Sequence, residues 1–141
     1  MMADVFAPEK RSLIMSRIKG RDTRPEILVR SLLHRMGYRF RLHRRDLPGC
    51  PDIVFAKHRK VIFVHGCFWH GHPGCRRSER PTANREFWQK KLSGNVERDR
   101  KNRLELEKLG WKILIVWTCE TRDVARLEGV LKHFMSGEDN E

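Results

Sequence analysis

The chain has 141 residues, 39% of them apolar, which is enough for one buried core and too few for two. Thirty Lys and Arg oppose 18 Asp and Glu, and the net charge of +12 favours a polyanion such as nucleic acid over a merely soluble basic protein. Neither a run of about 18 apolar residues nor the apolar core of a secretory signal is present. We therefore expect no membrane partner, no export, and four cysteines that are thiols or metal ligands rather than disulfides.

The first half of the sequence predicts two helices and three strands. Residues 8–19 have the pattern of a basic amphipathic helix. A second helix begins with a capping box of Thr23 and Glu26 and ends at Gly37. Apolar and basic residues alternate over 38–43, which predicts a half-buried strand with a basic face. The apolar strands "DIVFA" and "KVIFVH" follow, and the polar "KHRK" between them predicts an antiparallel hairpin.

The second half predicts a long loop, an interrupted helix, a fourth strand and a last helix. The loop covers residues 66–85. A helix over 86–92 is interrupted by "SGN", and a charged helix then covers 95–109. The continuous apolar stretch "WKILIVW" is typical of a strand at the centre of a sheet that is covered on both faces. A last amphipathic helix over 124–134 completes the order α-α-β-β-β-α-β-α.

This order predicts one domain over residues 1–141, with a core over about 23–135 and a frayed tail over 136–141. A mixed sheet flanked by helices belongs to the α/β class. One fold of this kind, the restriction-endonuclease core, carries its metal site on the second and third strands. The dipeptide "PD" before the second strand is therefore a candidate metal site.

Asp52 of this dipeptide matches the magnesium-binding aspartate of PD-(D/E)xK nucleases. The next strand should then supply an acid and a lysine on one face, but Phe63 and His65 occupy those positions. Asp52 can still hold magnesium with a backbone carbonyl and water, since magnesium prefers oxygen ligands. The imidazole of His65 would be a cation against phosphate or a proton carrier.

The stretch "VHGCFWHGHPGCRR", residues 64–77, contains three histidines and two cysteines. Three of these residues and a distant cysteine form a Cys3His set that suits structural zinc: Cys67, His72, Cys75 and Cys119. Cys50 is the alternative fourth ligand, although a small buried residue beside Asp52 is the preferred interpretation. His70 is not needed for zinc and is a candidate general acid or base.

Five separated motifs occur in one order: "LPGCPDIVF", "VIFVHGCFWHGH", "NREFWQKKL", "NVERD" and "GWKILIVWTC". Over roughly residues 8–135 the chain thereby resembles the bacterial very-short-patch-repair mismatch endonucleases. The resemblance implies a restriction-endonuclease-like fold with structural zinc and catalytic magnesium. It also implies nicking of one DNA strand on the 5′ side of the thymine in T:G mismatches, which arise when 5-methylcytosine deaminates. The expected setting is the bacterial cytoplasm, with association with the nucleoid during repair.

The resemblance assigns catalytic roles to individual residues. Asp52 and the backbone carbonyl of Val64 are expected to bind magnesium. His65 and His70 match the two active-site histidines. Two acids support them: Glu26 matches a helix glutamate that contacts metal-bound water, and Asp99 matches an acid near His70. The zinc ligands match Cys67, His72, Cys75 and Cys119.

The resemblance also assigns aromatic residues to mismatch recognition. Phe68, Trp69 and Trp88 match aromatics that enter the DNA stack beside the mismatch, with Met15 acting from the other groove. Unstacking a base step costs a few kcal/mol, and less at a mismatch, so such a wedge would detect mismatches. Composition alone would place these aromatics in the core, as we expect for Trp111 and Trp117. Gly71 stands where some relatives have histidine, which affects only the shape of the loop.

Two other functions remain open from the residues alone. A non-enzymatic zinc module that binds DNA would explain the charge and the cysteines but would leave Asp52, His65 and His70 without a role. A different nuclease, such as a ribonuclease or a ββα-metal enzyme, is the other alternative. The ββα-metal motif would need a helix with metal ligands where the candidate zinc loop stands. One compact asymmetric site favours a monomer, and contact with mismatch-repair proteins is left open.

Overall fold

The computed structural model describes residues 23–80 and 82–136. The predicted helix over 8–19, with Met15, lies outside the described residues, as does the tail after residue 136. The described strands form one sheet in the order β1-β2-β3-β4: β1 is Arg41–Leu42, β2 is Ile53–Phe55, β3 is Lys60–His65 and β4 is Lys112–Trp117. The pairs β1–β2 and β2–β3 are antiparallel and β3–β4 is parallel. This mixed sheet confirms the α/β class and the predicted hairpin.

Helices cover both faces of the sheet. They are α1 (Arg24–Arg35), the short α2 (Cys67–His70), α3 (Arg85–Lys108) and α4 (Val124–Ser136). Successive strand side chains point to opposite faces. Ile53 and Ile62 therefore pack with α1 and α4, whereas Val61 and Phe63 pack with Leu106 of α3 on the other face. None of the described helices has the length and apolar composition needed to cross a membrane.

The start and the end of α1 follow the predicted signals. The Thr23 hydroxyl accepts a hydrogen bond from the Glu26 backbone N–H at 3.4 Å, and Pro25 lies in the first turn. Gly37 follows the helix with φ +92°, a conformation that a glycine adopts without steric penalty. The Glu26 side chain is buried and contacts Arg30 and His43. The Glu26 carboxylate thus contacts His43, the residue after β1.

Two of the strand predictions are wrong in part. The predicted strand over 38–43 shortens to Arg41–Leu42, where Leu42 is exposed and His43 is turned inward by a backbone φ of +49°. The apolar strand β4 is covered on both faces, as Ile113 and Ile115 pack on one and Leu114 on the other. It lies at the edge of the described sheet rather than at its centre.

The predicted loop and the predicted helix break are also corrected. Residues 66–85 contain α2 and a 3-10 turn over Arg76–Ser78. The motif "SGN" does not interrupt α3, which runs without a break over 24 residues. A glycine inside a helix costs about 1 kcal/mol. Buried Leu92 and a hydrogen bond from Asn95 Nδ2 to the Trp69 carbonyl at 3.0 Å offset that cost.

Candidate active site

Asp52 lies at the start of the central hairpin. It directly precedes β2, and its Oδ2 accepts a hydrogen bond of 2.7 Å from the Val64 backbone N–H of β3. Burial raises the pKa of Asp52 to about 7, and the Glu26 carboxylate adds to the rise. The Val64 N–H and the charges of His70 and Arg30 oppose it. A buried carboxyl with so high a pKa lacks sufficient positive charge around it, which fits a cation site.

The imidazole of His43 lies between the carboxylates of Glu26 and Asp52. Glu26 Oε2 accepts from Arg30 and lies 2.8 Å from His43 Nε2, while His43 Nδ1 is 3.8 Å from Asp52 Oδ1. One ligand atom each of Glu26, His43 and Asp52 can be chosen so that all lie within 4.8 Å of one another. These three side chains therefore form one candidate cation site.

The two predicted active-site histidines stack on each other. The rings of His65 and His70 are 3.8 Å apart and nearly parallel, at 7°. Burial and, to a lesser extent, the neighbouring charge of His70 lower the pKa of His65 to about 4. His65 is therefore neutral near pH 7, which argues against its cationic form as a phosphate contact.

His70 is held by an acid from α3. Its Nδ1 lies 2.6 Å from Asp99 Oδ2, the geometry of a charge-assisted hydrogen bond. A carboxylate partner fixes Nδ1 as the donor and leaves Nε2 for proton exchange. The predicted pair of His70 and Asp99 is thus brought together by α2 and α3.

The four predicted zinc ligands converge. Ligand atoms of Cys67, His72, Cys75 and Cys119 all lie within 4.8 Å of one another, and Cys119 Sγ is 3.5 Å from His72 Nδ1. Ligands of a tetrahedral zinc ion are on the order of 3.6–3.8 Å apart. Burial raises the pKa of the Cys119 thiol to about 12, with Cys67 and Cys75 adding to the rise. Crowded thiols of this kind fit a divalent cation, and Cys50 belongs to none of the clusters among the described residues.

The predicted wedge aromatics form a surface cluster, which we call the aromatic cluster: Phe68, Trp69, Trp88 and Phe87. Phe68 lies 5.1 Å from Trp69 and 5.5 Å from Trp88 between ring centroids. The rings of Phe68, Trp69 and Trp88 are half-buried and belong to neither core cluster. Phe87, which the sequence interpretation missed, is 59% exposed and 5.1 Å from Trp88. The cluster is apolar surface beside the His70–Asp99 pair.

Two tryptophans assigned to structure differ in their surroundings. Trp111 is buried in the core, with the Arg59 guanidinium 4.9 Å from its ring. Trp117 stacks on His72 of the Cys3His cluster at 4.3 Å and meets His65 edge-on at 5.4 Å. Trp117 therefore connects the Cys3His cluster with the histidine pair.

His43 is the main residue of the site that the sequence interpretation missed. It was assigned to the basic face of a strand, but only 11% of its side chain is exposed. A signal was present in the register, because Leu42 pairs with Ile53 and the next pair is His43 with Asp52. Its left-handed backbone, which sets the direction of the side chain, could not be read from the sequence.

Comparisons with known proteins identify the family to which the chain is similar. The sequence profile of the family described as "DNA mismatch endonuclease Vsr" matches residues 3–77. The type II nicking enzyme V.XorIIP of Xanthomonas oryzae pv. oryzae is 48% identical over 134 residues, which cover 95% of this chain and 98% of the relative. The type II nicking enzyme V.NmeAIP of Neisseria meningitidis is 45% identical over 88% of each chain.

A third relative carries the name of the family itself. The DNA mismatch endonuclease Vsr of Escherichia coli is 46% identical over 126 residues, which cover 89% of this chain and 80% of the relative. Identities at this level over nearly the whole length place the resemblance beyond single motifs. The chain belongs to the Vsr family of DNA mismatch endonucleases.

Proposed function

We propose that the chain is a strand-specific endonuclease that nicks DNA on the 5′ side of the thymine in a T:G mismatch and so initiates very short patch repair. Membership of the Vsr family supports the coarser activity, a DNA endonuclease of mismatch repair. The names of relatives such as V.XorIIP, a nicking enzyme, support cleavage of one strand. The proposed setting is the bacterial cytoplasm, at the nucleoid, with the protein acting as a monomer.

One observation supports the catalytic part most strongly: the charge of His70 lowers the pKa of Asp52, so the proposed cation-binding carboxylate and the proposed proton-transfer group interact electrostatically. Asp52, Glu26 and the Val64 carbonyl are the proposed oxygen ligands of magnesium or of its waters. When bound, magnesium neutralises charge on the scissile phosphate and polarises the attacking water.

The proposed proton transfer runs through Nε2 of His70. Hydrolysis joins the oxygen of water to phosphorus and breaks one P–O bond, so one proton leaves the water and one reaches the departing oxygen. His70 accepts or delivers that proton while Asp99 holds its Nδ1. Neutral His65 fixes the plane of the His70 ring by stacking.

The proposed zinc site stabilises a PD-(D/E)xK-type core at the point where catalysis and recognition meet. Cys67 is the first residue of α2, His72 lies just after the helix, and Cys119 follows β4, so zinc would tie α2 to the end of that strand. The aromatic cluster on α2 and α3 is the proposed wedge for the mismatch, with Met15 as a further contact. Rings that are half-buried and outside the core support this assignment.

The test is a nicking assay on duplexes that differ at one base pair. Each strand of a T:G duplex and of the matched duplex is labelled in turn and incubated with protein and Mg²⁺. We expect one product, cut on the 5′ side of the mismatched thymine, and none from the matched duplex. Asp52→Asn should bind the T:G duplex without cutting it, because the substitution removes the carboxylate that is the proposed magnesium ligand.

Each alternative function predicts another result. Cutting of matched DNA or of RNA at the same rate would identify a nuclease of different preference. Tight binding of T:G DNA without cutting by the wild-type protein would favour a zinc module that only binds. Full activity of Asp52→Asn would remove Asp52 from the mechanism.

A further inference from the structure

His43 stands between the two acids of the cation site. The ladder between β1 and β2 continues beyond Leu42, because the His43 N–H donates to the Asp52 carbonyl at 3.1 Å. A backbone φ of +49° then turns the side chain inward, where 11% of it remains exposed. Histidine is one of the non-glycine residues that tolerate this conformation best. The position of the imidazole is thus fixed both by the backbone hydrogen bond of His43 and by the burial of its ring.

The contacts of His43 determine which ring nitrogen carries a proton. Glu26 Oε2, a pure acceptor, lies 2.8 Å from His43 Nε2. Nε2 therefore donates to Glu26, and the Arg30 guanidinium at 3.2 Å, which can only donate, shares that carboxylate with it. The lone pair is then on Nδ1, 3.8 Å from Asp52 Oδ1.

We propose that His43 Nδ1 is a ligand of the catalytic cation together with Asp52, and that Glu26 is the carboxylate that orients this imidazole. The inference rests on the proposed metal-dependent nuclease function. Metal–ligand distances are about 2.0–2.2 Å, so one ion can reach two atoms that are 3.8 Å apart. Metal-binding histidines almost always donate their other ring N–H to a carboxylate or a carbonyl, as His43 does to Glu26.

A nitrogen ligand has a consequence for cation preference. Magnesium prefers oxygen ligands, whereas imidazole nitrogen binds transition-metal ions more tightly than it binds magnesium. The site should therefore bind Mn²⁺ more tightly than Mg²⁺. A network in which His43 merely joins two acids by hydrogen bonds would create no metal–nitrogen bond.

The experiment uses Mn²⁺ as the probe on full-length, zinc-loaded protein without DNA. Binding is measured by electron paramagnetic resonance of free Mn²⁺, and the nitrogen hyperfine coupling of bound Mn²⁺ by pulsed measurements. We expect imidazole coupling in the wild type, its loss in His43→Asn, and about 10–100-fold weaker binding in that variant. Asparagine is chosen because it also tolerates positive φ. His133→Gln, an exposed residue of α4, is the matched control and should retain both signals.

Two further variants secure the interpretation. His43→Gln should also lose the coupling, and circular dichroism verifies that each variant is folded. Asp52→Asn should weaken Mn²⁺ binding, which assigns the signal to this site. Coupling that persists in a folded His43→Asn protein, or that is absent from the wild type, overturns the inference.

Failure of this inference differs from failure of the proposed function. Nicking of T:G duplexes in Mg²⁺ by the wild type, together with Mn²⁺ bound without nitrogen coupling, overturns the role of His43 alone. Coupling that depends on His43 in a protein that nicks nothing leaves the cation site standing and overturns the endonuclease proposal.

Discussion

At the scale of single residues, the hydrogen bond between His70 Nδ1 and Asp99 Oδ2 determines which nitrogen is free for chemistry. His70→Gln should lower the single-turnover nicking rate by about 10²–10⁴-fold while changing DNA affinity little, because a proton-transfer group acts in the transition state. Asp99→Asn should lower the rate by at least about tenfold, since the amide no longer fixes the tautomer. The measurement is single-turnover cleavage with saturating protein.

A carboxylate on the same helix serves as the control for the dyad. Glu97 is exposed and pairs with Arg100, away from the histidines. Glu97→Gln should therefore nick at the wild-type rate. An unchanged rate in His70→Gln would mean that His70 takes no part in proton transfer and only separates the proposed zinc ligands Cys67 and His72.

The raised pKa of Asp52 predicts a pH dependence of magnesium binding. Below about pH 7 the carboxyl carries a proton that the cation must displace, and above it the carboxylate is already ionised. The Mg²⁺ concentration for half-maximal nicking should thus rise about tenfold per pH unit as the pH falls below 7, and change little above it. The check is a Mg²⁺ titration between about pH 6 and pH 8 at constant ionic strength.

Asp46 provides the matched control for this titration. It is exposed, and its hydrogen bond with Arg44 lowers its pKa, so it is ionised throughout the range. Asp46→Asn should leave the pH dependence unchanged. A half-saturating Mg²⁺ concentration that stays constant across the range would mean that Asp52 binds no cation competitively with protons.

At the scale of elements, local signals in the sequence identified the hairpin and the helix caps but not the lengths of the elements. The turn "KHRK" and the cap at Thr23 depend on neighbouring residues alone, and both were predicted correctly. The continuity of α3 depends on contacts of Leu92 and Asn95 with other parts of the chain. The inward turn of His43 depends on its pairing with Asp52. Long-range contacts of this kind leave no local pattern.

Substitutions at two glycines test the continuity of α3 at Gly94 and the left-handed backbone at Gly71. Gly94 lies inside α3, and a Cβ there would meet only the end of the Arg98 side chain at 3.6 Å. Gly94→Ala should therefore raise the free energy of unfolding by about 0.5–1 kcal/mol without changing nicking. Gly71→Ala should lower stability, because Gly71 has φ +64° and its Cβ would lie 2.9 Å from Val96. Thermal denaturation of both variants decides; a destabilised Gly94→Ala would contradict the reading.

The zinc cluster predicts different effects for two cysteines. Cys119→Ser should lose zinc and lower the free energy of unfolding by at least about 2 kcal/mol, a decrease in Tm of about 5 °C or more, because structural zinc contributes folding energy. Cys50→Ser should keep both zinc and stability, since Cys50 lies outside the cluster. Metal analysis and thermal denaturation provide the check. Full zinc content in Cys119→Ser together with loss in Cys50→Ser would reverse the assignment.

At the scale of the whole molecule, the residues proposed for recognition and those proposed for chemistry lie on the same two helices. α2 carries Phe68, Trp69 and His70 in succession, and α3 carries Trp88 and the acid that holds His70. The proposed zinc ion would fix α2 against β4. A ring displaced by an intact base pair would therefore disturb the helix that positions the imidazole of His70. This coupling gives a physical reason why the proposed cleavage would depend on the mismatch.

Trp69→Ala should therefore erode discrimination between T:G and matched DNA. Stacking of an aromatic ring on a base is worth about 1–3 kcal/mol. At T:G the step opens cheaply and the stacking appears as affinity, whereas in matched DNA it is spent on unstacking. Binding to T:G should weaken roughly tenfold or more, while binding to matched DNA, dominated by Lys and Arg contacts with phosphate, should change little. Trp111→Ala, a core change, should instead lower Tm and leave the ratio of the two affinities intact. Paired titrations at one salt concentration give that ratio, and equal losses on both duplexes with a lowered Tm for Trp69→Ala would make Trp69 a packing residue.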